Sequence, residues 1–92
     1  MNLNLEGKLA VVTGAARGIG AAIARGFVEE GATVLVVDMS DDVASIGSEL
    51  DGESLVCDLT QSGTDKLVAA TAERLGGASI LINNAGISRP AP

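Results

Sequence analysis

The sequence predicts an α/β fold, a parallel four-stranded sheet with helices on both faces. Three observations predict it. Short aliphatic runs alternate with segments of helical periodicity along the whole chain. The apolar residues are almost all Val, Ile, Leu and Ala, with Phe27 the only aromatic, as strands buried on both faces require. A glycine-rich segment, Thr13 to Gly20, joins the first such run to the first helical pattern.

The elements follow in order. Lys8 to Thr13 is the first strand. Ile19, Ala22, Ile23, Gly26 and Phe27 recur at helical spacing and predict one apolar face of a helix reaching Glu30. Gly31 then ends it in the left-handed position that favours glycine. Thr33 to Val37 is a β-branched run and predicts a buried second strand. Val43, Ile46 and Leu50 mark a short second helix, with Ser40 or Asp41 as N-cap and Asp51-Gly52 as the turn that follows. Ser54 to Cys57 is a third strand. Leu67, Val68, Thr71 and Leu75 line a third helix, stopped by Gly76-Gly77. Ser79 to Ile82 is a fourth strand, and Arg89 to Pro92 form an extended tail.

Right-handed crossovers between parallel strands give the Rossmann-type order 3-2-1-4. The first two helices then share one face and the third covers the other. The connection reverses between the first and fourth strands, and ligands of such sheets bind at that switch point. Both the glycine segment and the residues after the fourth strand end there.

Composition narrows the function. The chain has 92 residues, which predicts one domain spanning positions 1–92. Six basic residues against twelve acidic ones give a net charge of −6, which disfavours nucleic acid and anionic membranes as partners. An anionic ligand must therefore be held by local dipoles and amides. The lone Cys57 excludes an intrachain disulfide and is expected to be a buried thiol. No apolar run reaches membrane-spanning length, and Met1 to Asn4 lack signal-peptide character; a cytoplasmic protein is expected. No metal-ligand pattern stands out.

The chemistry is concentrated at the strand ends. Gly14 permits a tight turn, Gly18 lets the backbone approach a pyrophosphate, and Gly20 allows close packing of helix on strand. Free N–H groups at the helix start point at such an anion. Asp38 ends the second strand, eighteen residues after Gly20; an acid at that offset accepts hydrogen bonds from a ribose and repels a 2′-phosphate. It can equally be a strand-end or capping aspartate. Arg17 has the opposite preference, since it can reach a phosphate. Asp58 follows the third strand, where it can accept from an adenine amino group or serve turn chemistry in Asp58-Leu59-Thr60. Asn83-Asn84-Ala85-Gly86 can border a ribose or form a plain turn.

Together, Thr13 to Gly20 and Asn83 to Gly86 resemble the T-G-x-x-x-G-x-G and N-N-A-G motifs of the short-chain dehydrogenase/reductase family. The resemblance runs from Leu5 to Ile87, and the pair Asp38 and Asp58 fits its NAD-associated pattern. It implies an oxidoreductase that transfers hydride between nicotinamide and an alcohol or carbonyl substrate. It implies cofactor contacts by Gly14, Ala15, Arg17, Gly18, Ile19 and Gly20 near the pyrophosphate. Asp38 would hold the ribose, Asp58 and Leu59 the adenine, and Asn84, Ala85 and Gly86 the neighbouring ribose. NAD is expected ahead of NADP, and a homo-oligomer is expected.

The chain departs from the family in one respect. The family's catalytic Ser, Tyr and Lys lie beyond N-N-A-G, and this sequence contains no tyrosine; no catalytic residue is assigned. The expected identity is the N-terminal, dinucleotide-binding half of the family fold. A non-catalytic nucleotide-binding module and a self-assembling half-fold are the alternatives.

Overall fold

The computed structural model describes residues 4–84. Four strands and three helices alternate: β1 (Leu9–Thr13), α1 (Gly18–Glu29), β2 (Thr33–Asp38), α2 (Val43–Glu49), β3 (Glu53–Val56), α3 (Thr64–Arg74) and β4 (Ile80–Asn83). All strand pairs are parallel and the order is β3-β2-β1-β4, as the alternation predicts. Val11 sits between Leu35 and Leu81 in register, and Thr13 between Val37 and Asn83.

Strand parity divides the core. Ala10, Val12, Val34 and Val36 face α1 and α2, where they meet Ala21, Ala24, Val43 and Ile46. Leu9, Val11, Leu35 and Val37 face the other way, towards Ala72 and Val68 of α3. Both faces of β1 and β2 are therefore dry, which is why their sequences run continuously apolar rather than alternating. Each fully buried Val or Leu contributes about 1.5–3 kcal/mol relative to exposure.

Element boundaries differ from the sequence reading by one to three residues. β1 starts at Leu9, β3 and β4 are each displaced by one position, and α1 begins at Gly18. The apolar face of α1 is also rotated. Gly20, Ala21 and Ala24 are its buried positions, while Ile23, Phe27 and Val28 pack along the flank. Ala22 is exposed and Ile19 is 69% exposed. The reason is close approach: small residues let the helix sit against β1, and bulkier ones are turned to its sides. On α3, Thr71 and Ala72 are buried instead of the full Leu67-Val68-Thr71-Leu75 row; Leu67 and Leu75 are exposed. The Thr71 hydroxyl donates to the Leu67 carbonyl (2.8 Å), so its burial leaves no polar group without a partner.

All three helices end alike. In α1, Gly31 and Ala32 donate to the Val28 and Phe27 carbonyls; α2 repeats the pattern at Asp51 and Gly52, and α3 at Gly76 and Gly77. Asp51 takes the left-handed position at φ 56° without being glycine, one of the few residue types that tolerate it. The start of α2 departs from expectation. Asp42 is its N-cap and makes no side-chain cap bond. Ser40 acts two residues earlier, its Oγ accepting from the Asp42 N–H at 3.1 Å.

Candidate functional site

The carboxyl ends of β1, β2, β3 and β4 frame one cleft of about 310 Å³. Its lining includes Gly14, Asp38, Asp58, Leu59 and Asn84, five residues named from sequence, together with Met39, Cys57 and Thr60. The parallel topology alone brings them together, because every parallel strand delivers its following loop to the same edge.

The glycine loop is held from two sides. Gly14 turns off β1 at φ 65°, a conformation open to glycine and costly for a side chain. The Ala15 N–H donates to the Val37 carbonyl (3.2 Å), and the Ala16 N–H to Asp38 Oδ2 (3.0 Å). From the other side, Asn84 Nδ2 donates to the Gly14 carbonyl (3.1 Å). The Thr13 hydroxyl lies 3.1 Å from Asn83 Oδ1, which ties the ends of β1 and β4. Asn83 therefore joins strands while Asn84 clamps the loop.

Gly20 makes this geometry possible. A Cβ there would overlap the Gly14 carbonyl oxygen and stand 2.8 Å from Asn84 Nδ2. The close approach holds α1 against Gly14 and Asn84, both of which line the cleft. Arg17 is the N-cap, with extended backbone and no side-chain cap, and the first turn carries no acid. The positive end of the helix dipole therefore meets no carboxylate from its own first turn.

Asp38 has two tasks. Oδ2 accepts from Ala16, and Oδ1 accepts from the Ser40 N–H at 3.0 Å. This is the strand-end role, and the carboxylate also lines the cleft; each oxygen keeps a second lone pair for a ligand hydroxyl. Asp58 Oδ1 accepts from both the Thr60 hydroxyl (2.6 Å) and the Thr60 N–H (2.9 Å). The Thr60 hydroxyl and then its N–H hold the Asp58 carboxyl below the usual carboxylate range. The carboxylate is an acceptor held in place by the turn.

Other positions differ from the expectation. Ala15 is fully buried, so its methyl packs in the core and only its backbone shapes the loop. Arg17, Gly18 and Ile19 are exposed at the start of α1, outside the lining of the cleft. Ala85 and Gly86, and the tail from Arg89 to Pro92, lie outside the described residues. Cys57 is half-buried in the cleft wall rather than buried in the core. Burial pushes its thiol up, and the adjacent Asp58 charge adds to this. Met39, Cys57 and Thr60 were not singled out from sequence as cleft residues; their signal was adjacency to Asp38 and Asp58 at strand ends. Among the described residues no group of three His, Cys, Asp or Glu could hold a metal. None of their helices is long and apolar enough to cross a membrane.

Comparison with known proteins agrees with the fold. The sequence model of the family described as short chain dehydrogenase matches residues 8–92. Zerumbone synthase from Zingiber zerumbet is 41% identical over 94% of this chain and 34% of its own length. A hydroxysteroid dehydrogenase from Escherichia coli superposes with a TM-score of 0.80 at 34% identity, over 87% of this chain and 36% of its own. The RhlG/NADP active-site complex of Pseudomonas aeruginosa does so with a TM-score of 0.81 at 31% identity, over 90% and 36%. The chain spans about a third of the length of the curated relatives it matches.

Proposed function

The chain belongs to the short-chain dehydrogenase family, and on that premise we propose that its single domain supplies the dinucleotide-binding part of an NAD-dependent oxidoreductase. The whole enzyme would move hydride between nicotinamide and the carbon of an alcohol or carbonyl substrate in the cytoplasm. The observation that carries this reading is the cleft. Gly14, Asp38, Asp58, Leu59 and Asn84 converge on it, beside an α1 N-terminus with no cap of its own.

The residues fit such a ligand. A pyrophosphate suits the exposed start of α1, where Gly18 and Ile19 present backbone rather than charge. Asp38 accepts from the adenosine ribose, and Asp58 with Leu59 borders the adenine. Asn84 keeps the Gly14 carbonyl turned away from the phosphates by donating to it. When bound, nicotinamide supplies the hydride chemistry; these residues bind and orient it. With no tyrosine in the sequence, the chain by itself is proposed to bind without turnover.

NAD is favoured over NADP because Asp38 would be brought against a 2′-phosphate. A structural relative is an NADP complex, so the choice rests on residues and not on the fold. Asp38→Ala is expected to shift the NAD-to-NADP affinity ratio about tenfold towards NADP, as loss of a charge-assisted bond implies. Isothermal titration of both dinucleotides measures it, and an unchanged ratio removes Asp38 from the site.

A second reading concerns assembly. Among the described residues β4 pairs only with β1, and its Leu81 is 64% exposed. An apolar groove of about 390 Å³ lies between β4 and α3, lined by Val11, Val68, Ala72 and Leu81 among others. An edge ladder beside apolar surface favours pairing with a second copy. Sedimentation of the chain is expected to show association that rises with concentration; a monomer across the micromolar range would exclude it.

A further inference from the structure

We propose that Asp42 is a positioning residue for cofactor choice, tethering Arg17 away from the place a 2′-phosphate would take; this rests on the dinucleotide reading above. Arg17 Nη2 lies 3.5 Å from Asp42 Oδ2, with both side chains largely exposed. The two residues stand at the starts of α1 and α2, on either side of the end of β2.

A closed set of contacts links them to Asp38. The Ala16 N–H and the Ser40 N–H both donate to the Asp38 carboxylate. Ser40 Oγ in turn accepts from the Asp42 N–H. Asp42 meets Arg17, which is joined to Ala16 by a peptide bond, and the circuit closes around Asp38. Asp42 makes no side-chain bond to its own helix N-terminus. Its carboxylate, held by a fixed backbone, is directed to the guanidinium instead.

A phosphate on the ribose 2′-oxygen would project towards the Asp38 end of the cleft. Arg17 adjoins the residue that touches Asp38, so it is the cation within reach along this loop. Engaged with Asp42, its conformations are restricted. The fraction of Arg17 free to turn inward then scales the apparent affinity for the phosphorylated ribose. Exposed ion pairs are weak and salt-screened, so the effect is modest, about two- to fivefold.

The test uses 5′-AMP and 2′,5′-ADP (adenosine 2′,5′-bisphosphate), which differ only in the 2′-phosphate, titrated by calorimetry against this chain. Asp42→Asn is expected to raise the preference for 2′,5′-ADP about two- to fivefold, with an unchanged thermal midpoint. Asp42→Glu, which can re-form the pair, should restore the native preference. Added to Arg17→Ala, Asp42→Asn should change nothing. The same gain in the Arg17→Ala background would overturn the tether, because Asp42 would then act by direct repulsion. No gain in either background would overturn it too. If neither fragment binds any variant at millimolar concentration, the nucleotide reading itself falls, and the tether with it.

Discussion

Replacing Gly20 with alanine is expected to abolish measurable dinucleotide binding and to lower stability by about 3 kcal/mol, the upper range for overpacking. The added methyl has nowhere to go. It would overlap the Gly14 carbonyl oxygen, 2.7 Å from the carbonyl carbon and 2.8 Å from Asn84 Nδ2. A flexible side chain could swing aside, but a backbone carbonyl cannot move alone. Displacing it breaks the Asn84–Gly14 bond and strains the Ala15–Val37 bond next to it. The loop that should receive the pyrophosphate and the clamp from β4 are lost together. Denaturant unfolding with titration of NAD checks both effects. Gly26 on the same helix is the control, because a Cβ there meets nothing within 4 Å. Gly26→Ala should be neutral or stabilising, since alanine is the better helix former by about 1 kcal/mol. Equal losses at the two positions would sink the close-approach argument.

The second large effect lies in the core. Leu35→Ala should cost about 2–5 kcal/mol. Leu35 is fully buried in the middle of β2, against Val11, Val37 and Ala72 on the α3 face. Residual stability is small in a domain of this size, so the variant should be largely unfolded at physiological temperature. Calorimetry should show a midpoint lowered by roughly 10–40 °C, given the size scaling of thermal unfolding. Leu81→Ala is the contrast. Leu81 is also a strand leucine, yet it is exposed, and its loss from an isolated chain should fall within about 0.5 kcal/mol. A large cost at Leu81 would mean that something covers β4, and a second copy is the occupant argued above.

Much of this molecule is legible before it folds. The strands are readable because β1 and β2 are buried on both faces, which leaves an unbroken β-branched signature in Thr33 to Val37. The helix ends are readable because Gly31 and Gly76 occupy left-handed positions, a local demand on one residue. Spacing alone reveals Gly14, Gly18 and Gly20. The rotation of α1 is not readable, since Ile19 and Ala22 fit a helical stripe as well as Ala21 and Ala24 do. What selects between the stripes is how near β1 the helix lies, and that depends on a carbonyl six residues away. Nor does Cys57 announce itself: a lone thiol at the end of an apolar strand run reads as core until β3 is seen, among the described residues, to be an edge strand bordering the cleft.

The dual roles of the polar residues show the same division. Asp38 was readable as either a ribose acceptor or a strand-end acid. In the fold it carries two backbone donors and still lines the cleft. The sequence leaves Asn84 beside a ribose or in a plain turn; in the fold it clamps Gly14 across seventy positions of sequence. The Arg17–Asp42 pair had no sequence signal at all, because neither partner lies on the other's helix.

By itself, then, the sequence determined the order of elements, the glycine turn, the acid at the end of β2 and the family to which they belong. These follow from φ/ψ demands and burial periodicity within a few neighbouring residues. Only the tertiary structure decided which face of α1 is buried, how Asn84 and Gly20 hold the glycine loop, and where Arg17 spends its charge. Those depend on distances between segments far apart in the chain, which exist only once the parallel sheet has brought the strand ends to one edge.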